Sequence, residues 1–281
     1  MRLRSLLFVP GDRPERMEKA LGLGADALIL DLEDAVAATR KDEARAAIRA
    51  FLDRDRSVPL FVRINPLDSS MADDDLAAVL PGKPDGIMLP KAEGAASLKD
   101  LDSRLDWAGA DGCKILPIAS ETPAAIFQMG TYGGVTTRLA GLTWGAEDLP
   151  AAIGASTSRE EDGSYTPPYQ LARSLTLFGA AAAGVAPIET VYPAFKDLDG
   201  LAAYAARARR DGFTGMMAIH PTQIAVINAA FTPSDAEVAH ARAVIAAFAA
   251  NPDAGALSLD GKMIDRPHVK QAERIVAQAG G

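Results

Sequence analysis

The chain has 281 residues, of which 48% are hydrophobic and 23% charged, and a formal net charge of -8. That composition is ordinary for a soluble chain long enough to bury a large core. The acidic balance argues against a nucleic-acid partner but leaves room for a small polyanion bound by local Arg and Lys side chains. No stretch offers the ~20 apolar residues of a membrane span. The single cysteine, Cys113, cannot form an internal disulfide, which fits a cytoplasmic protein; placed just before an apolar strand, it reads as inert.

Residues 3 to 9 form an apolar run closed by Pro10-Gly11, a strand followed by a turn. The positive start resembles a signal peptide, but the apolar run is too short, and Pro10-Gly11 is followed by charged residues. Asp12 is placed to cap the next helix, with Pro14 early in it and Met17, Ala20 and Leu21 on its apolar face. A second strand runs from Ala27 to Leu32, and Thr39 is placed to cap a helix through about Leu52. The alternation continues. Strands are expected over 59–65, 86–91, 114–120, 139–144, 186–192 and 215–219, and helices over about 71–80, 95–105, 123–130, 168–183, 198–210 and from Thr222. Residues 145–148 read as a loop.

Eight strand-like runs, each followed by a helical one, imply a parallel sheet with right-handed crossovers. At this length they point to an α/β fold of the (β/α)8 TIM-barrel type over residues 1–232. An open doubly wound sheet competes, but Pro10-Gly11-Asp12-Arg13 is not its Gly-rich phosphate turn. Residues 233–281 are surplus to the barrel: a helix over 233–250, a hairpin or loop, and a last helix over about 267–279. They form a C-terminal extension that packs on its own barrel or reaches a neighbouring subunit.

Barrel enzymes carry their chemistry at the carboxyl ends of strands. Those ends here are unusually polar: Asp31-Leu32-Glu33-Asp34, Arg63, Lys91, Glu121, Glu147-Asp148, Glu189-Thr190 and His220. Glu121 and Asp148 each follow an apolar strand, so the two carboxylates can face one pocket and hold one hard divalent cation such as Mg2+. The plainer alternative is that Glu121 caps the helix after it. Arg63 either pairs with Glu33 or Asp34 across the barrel mouth or grips a substrate oxygen, and both can hold. Lys91 carries the same ambiguity. Arg13 and Lys19 read on spacing as a solvated helix face, and Asp265 is unremarkable. There is no zinc spacing. His240 and His268 read as surface or packing residues, leaving His220 as the only candidate site histidine.

At these residues the chain resembles the citrate lyase β-subunit-like family, a branch of the HpcH/HpaI aldolase superfamily that includes malyl-CoA and citramalyl-CoA lyases. The stretches that carry the resemblance are Phe8-Val9-Pro10-Gly11-Asp12-Arg13-Pro14 with Lys19, Leu30-Asp31-Leu32-Glu33-Asp34, Val62-Arg63-Ile64-Asn65, Met88-Leu89-Pro90-Lys91, Glu121-Thr122, Trp144 to Leu149, Ile219-His220-Pro221 and Gly261-Lys262-Met263-Ile264-Asp265. They span nearly the whole chain in family order.

The resemblance implies a (β/α)8 barrel in a homo-oligomer, usually a trimer, acting on an acyl-CoA. It implies magnesium on Glu121 and Asp148, and Arg63 at the substrate oxygens with Glu33 and Asp34 in support. Phe8, Arg13 and Lys19 match positions that contact the CoA moiety, and Ile219 and His220 match a stretch at the acyl-CoA site. Asp265 matches an acid that one subunit's tail delivers into its neighbour's site. The implied activity is reversible carbon–carbon cleavage of a 3-hydroxy-3-carboxy acyl-CoA. Alternatives are a malyl-CoA-type thioesterase, the β subunit of a citryl-thioester lyase, or a non-catalytic CoA-binding barrel. Ser120 departs from the pattern, since many relatives carry an apolar residue there.

Overall fold

The computed structural model describes residues 1–280. The chain divides into two compact units, Leu3–Asn228 and the residues from Ala229 onward together with Met1–Arg2.

The first unit alternates strand and helix: β1 (Ser5–Pro10), α1 (Pro14–Ala20), β2 (Ala27–Asp31), α2 (Lys41–Leu52), β3 (Leu60–Arg63), α3 (Ala72–Val79), β4 (Gly86–Leu89), α4 (Ala95–Trp107), β5 (Lys114–Pro117), α5 (Pro123–Ile126), β6 (Gly141–Thr143), α6 (Asp148–Ile153), α7 (Pro167–Ala183), β7 (Ala186–Glu189), α8 (Leu198–Asp211), β8 (Gly215–Ala218) and α9 (Gln223–Ala230). The eight strands are parallel, in the order β5-β4-β3-β2-β1-β8-β7-β6. Parallel bridges at Ile115–Leu139 and Ile118–Thr143 join β5 to β6, so the sheet closes into a (β/α)8 barrel. The expected fold class is therefore the observed one.

Side chains alternate along each strand, so every second residue faces the barrel interior. Leu6, Ile29, Phe61, Met88, Leu116, Ile188 and Met217 fill it, with Phe8 against them. The next inward positions on β2 and β3, at the carboxyl ends, are Asp31 and Arg63. The barrel core is thus apolar below and charged at the mouth, as its strand sequences dictate. Gly11 is fixed by close approach: a Cβ there would lie 2.6 Å from the Asp31 carbonyl oxygen, to which Gly11 N–H donates.

Several local expectations are corrected. Asp12 does not cap α1; Arg13 holds the N-cap position, and the Asp12 carboxylate accepts from Arg40 Nη1 at 2.5 Å. A charge-assisted bond to a guanidinium outcompetes a backbone cap. Thr39 lies inside a short 3-10 turn, Ala38–Arg40, that runs into α2. Strands β2 to β8 end one to three residues earlier than the apolar runs, because those runs continue into the loops that form the mouth, while β1 runs one residue further, to Pro10. Residues 145–148 are not all loop: Asp148 opens α6, a six-residue helix stopped by Gly154 in the left-handed region. Its shortness hid its periodicity.

The second unit packs α10 (Asp235–Ala250) against α11 (Arg266–Ala279), with a hairpin of β9 (Ala256–Leu259) and β10 (Lys262–Asp265) between them in sequence. Ser234 and Glu237 form a capping box at the start of α10. Asp260 and Gly261, both at positive φ, make the two-residue hairpin turn. Val244, Phe248, Ile264 and Ala272 form its core.

Candidate active site at the carboxyl ends of the strands

A cavity of about 730 Å³ opens at the carboxyl ends of the barrel strands. Phe8, Lys19, Asp31, Asp34, Arg63, Ile118, Glu121, Gly145, Glu147, Asp148, Thr190, Ile219 and His220 are among the residues that line it. Its walls are largely apolar, with charge gathered on one side.

Register explains the first charged pair. Parallel pairing sets Asp31 of β2 directly beside Arg63 of β3. Both side chains point to the same face, and they meet as a two-pronged ion pair, Nε to Oδ1 at 2.7 Å and Nη2 to Oδ2 at 2.6 Å. Arg63 Nη1 reaches Glu33 Oε2 at 2.9 Å, while the exposed Asp34 lies 3.9 Å away. The guanidinium also sits over the Phe8 ring, 4.9 Å from its centroid. Burial works against the charged guanidinium, but Asp31, Glu33 and Asp34 outweigh it and hold Arg63 well above its ordinary range. Asp31, not Glu33 or Asp34, is the main partner. The backbone after β2 is pinned by the buried Lys41, whose ammonium donates to the carbonyls of Leu32 and Glu33, and by Asn65 Nδ2 on the Leu32 carbonyl.

Glu121 follows β5 and is buried. Its Oε2 accepts from the Lys91 backbone N–H at 2.6 Å. Desolvation pushes its carboxyl up to about 8, and the nearby Glu33 and Asp148 charges add to the shift. Lys91 Nζ lies 3.0 Å from Glu33 Oε1 and 3.6 Å from Asp148 Oδ1. The loops carrying the two carboxylates are tied by Ser120: its hydroxyl donates to the Gly145 carbonyl and accepts from Gly145 N–H, both at 3.1 Å. Thr122, not Glu121, caps α5, through its hydroxyl on Ala125 N–H.

Glu121, Asp148, Glu33 and Lys91 therefore form one charged cluster short of positive charge. The donor set suits a hard cation: two carboxylate side chains, with water and substrate oxygens left to complete the shell. Among the described residues no three His, Cys, Asp or Glu side chains converge as an all-protein metal cage.

At the opposite rim His220 stacks on Phe195, with centroids 4.8 Å apart, and its Nδ1 meets Thr222 Oγ1 at 2.8 Å. Lys19 lines the cavity, and so does Arg16, which sequence reasoning passed over. Arg13 is half-exposed, 3.7 Å from Asp12, and is not among the lining residues. Glu189 is turned outward: it accepts from Trp144 Nε1 at 2.5 Å and Arg173 Nε at 2.6 Å, and only the next residue, Thr190, lines the cavity. Asp265 belongs to the second unit, at the start of α11, where its Oδ1 lies 2.5 Å from His268 Nδ1. His268 is exposed, as expected of a surface residue, but its contact with Asp265 was not foreseen. A carboxylate and a histidine three apart across a helix start are the signal that could have found the pair.

The model of the HpcH/HpaI aldolase/citrate lyase family matches residues 4–221. The chain belongs to that family. It is 38% identical over 275 residues to a citrate lyase subunit beta-like protein of Mycobacterium tuberculosis, covering 98% of this chain and 94% of the relative. It is 36% identical over 282 residues to a (3S)-malyl-CoA thioesterase of Cereibacter sphaeroides, with the same coverage. Among solved structures, protein CitE of Mycobacterium tuberculosis in complex with magnesium, acetoacetate and coenzyme A superposes with a TM-score of 0.83 at 35% identity, covering 99% of this chain and 98% of that one. Membership makes the chain an enzyme of a lyase family, with its candidate site where barrel enzymes carry theirs.

Proposed function

We propose that the protein is a magnesium-dependent lyase that reversibly cleaves a 3-hydroxy-3-carboxy acyl-CoA, such as malyl-CoA or citramalyl-CoA, to acetyl-CoA and a 2-oxo acid, glyoxylate or pyruvate. The observation that carries this reading is Glu121: a buried carboxyl held up to about 8, beside Asp148, in a cavity that also holds Arg63. A carboxylate pair so short of counter-charge is what a divalent cation would complete. The magnesium, acetoacetate and coenzyme A of the CitE complex support it.

Glu121 and Asp148 would hold a magnesium ion, which would supply Lewis acidity to the half of the substrate that becomes the 2-oxo acid. Arg63, fixed by Asp31 and Glu33, stabilises negative charge that develops as the carbon–carbon bond breaks. Because its partners already orient it, little reorganisation is needed at that moment. Phe8, Arg13, Lys19, Ile219 and His220 bind the thioester and CoA half, with Arg16 joining them from the cavity wall. Asp265 gives a proton to the acetyl-CoA enolate carbon in cleavage and removes it in condensation. In this reading the residues from 233 onward carry Asp265 into a neighbouring subunit's site in a homotrimer.

A second reading is thioester hydrolysis, favoured by the 36% identity to the (3S)-malyl-CoA thioesterase. The deciding experiment offers malyl-, citramalyl- and methylmalyl-CoA with and without magnesium, and follows the shorter acyl-CoA (acetyl-CoA, or propionyl-CoA from methylmalyl-CoA), the oxo acid and free CoA separately. The shorter acyl-CoA and oxo acid in equal amounts support the lyase. Free CoA without oxo acid supports the thioesterase, and no turnover of any thioester overturns both.

A further inference from the structure

We propose that His268 is a positioning residue for Asp265, holding its carboxyl in one rotamer and sharing the proton that the reaction moves; this rests on the lyase reading above. Asp265 ends β10 and stands at the N-cap of α11, and His268 follows three residues on, one turn along the same face. The ring nitrogen Nδ1 lies 2.5 Å from Asp265 Oδ1 and 3.1 Å from the Asp265 backbone nitrogen. One nitrogen thus meets both the side chain and the main chain of the same residue, which fixes the carboxyl group relative to the backbone.

A contact of this length between a carboxyl oxygen and a ring nitrogen holds one proton. Either the carboxyl O–H and the Asp265 backbone N–H share the Nδ1 lone pair, or Nδ1–H donates to a carboxylate and the backbone contact is given up. Both side chains are partly exposed, so the pair contributes little to stability as an ion pair. Its value lies in orientation and in proton supply.

The step balances. In cleavage the carbon–carbon bond breaks, its electron pair becomes that of the enolate, and the enolate carbon takes the proton from the Asp265 carboxyl. A C–H bond forms, an O–H bond breaks, and Asp265 is left as a carboxylate. Nδ1 of His268, relieved of the carboxyl O–H, then takes a proton from water and as Nδ1–H donates it to that carboxylate, which restores the carboxyl and the neutral ring. Condensation runs the same path backwards.

The test uses the full-length enzyme and three variants: His268→Gln, His268→Ala and Asp265→Asn. Glutamine at this position reaches back to the N-cap backbone N–H as in a capping box, so it preserves the start of α11 but holds no proton. We expect His268→Gln to melt like the parent and to lose about tenfold or more in kcat for thioester cleavage, with KM within about twofold. His268→Ala should lose at least as much. A His268→Gln enzyme with parental kcat, beside an inactive Asp265→Asn, overturns the proposal and leaves His268 as a helix cap. A fully active Asp265→Asn overturns the assignment of the acid itself, and the proposal with it.

Discussion

The backbone N–H of Lys91 donates to Glu121 Oε2 at 2.6 Å, and it can do so because Lys91 sits in the left-handed region, at φ 49°. That conformation costs a non-glycine residue roughly 1–2 kcal/mol. It turns the main chain after β4 toward the carboxylate after β5, while the side chain crosses to Glu33 and Asp148. Lys91 thus holds Glu121 with its backbone and screens the rest of the cluster with its ammonium. Replacing Lys91 by glycine keeps the N–H and removes the conformational cost. Magnesium affinity, measured by titration calorimetry, should be retained or increased, since a competing cation is gone. A tenfold weaker affinity would show that the ammonium, not the N–H, organises the site.

Asp148→Ala should lower magnesium-dependent turnover by about a hundredfold or more, because in the proposed site it removes one of the two carboxylates that would hold the ion. Asp148 is partly exposed at the start of a short helix. The melting temperature without metal should therefore change by no more than a few degrees. Activity of the variant at saturating magnesium is the measurement.

Glu121 gives a pH dependence with a definite sign. Its folded carboxyl is raised, from 4.5 to about 8, chiefly by desolvation. The folded state therefore binds more protons than the unfolded one between those values, and stability from this group falls as pH rises through that window. It is fully present below about 4.5 and lost by about 8. Metal binding requires the deprotonated form, so magnesium affinity should rise with pH up to about 8 and then level. Glu121→Gln should flatten the metal-free melting profile from pH 5 to 8. An unchanged slope in that variant would remove Glu121 as its source.

Ser120 links the two carboxylate loops through both polar groups of Gly145. Ser120→Val leaves the partly buried N–H and carbonyl of Gly145 without that partner, at about 1 kcal/mol or more. It also frees the Asp148 loop. Both the melting temperature and magnesium affinity should fall, the latter by about tenfold. Gly145→Ala tests the same join from the other side: its Cβ would lie 3.2 Å from Glu121 Oε1. A variant with parental magnesium affinity would show that this close approach is not needed.

Arg63→Ala should be the most destabilising of these changes. It strands the buried Asp31 without its counter-charge and leaves the buried Glu33 with Lys91 alone, a loss of about 3–5 kcal/mol. Arg63→Lys keeps the charge but not the two-pronged fit to Asp31. It should fold, melt lower than the parent, and cleave thioester at least tenfold more slowly. Thermal melting and steady-state kinetics separate the two effects.

The sequence by itself determined the barrel and most of its polar mouth. Eight apolar runs alternating with helical ones have one economical parallel arrangement, and in it every strand end faces the same way. Glu121, Asp148, Arg63 and His220 could therefore be placed near one cavity from periodicity and position alone, while Ile219 came from the family resemblance. Tertiary structure decided which charges meet. Arg63 pairs with Asp31 because the β2–β3 register sets them side by side, and register is a property of two strands, not of either. Glu189 faces away from the cavity because Ile188 before it faces in. Lys41, a cation in the first turn of α2 where the helix dipole disfavours it, was a signal in plain view. Its meaning appears only once the Leu32 and Glu33 carbonyls are brought to it. Composition and periodicity carry information along one chain segment at a time, while hydrogen bonds and ion pairs depend on distances between segments, which only the closed barrel fixes.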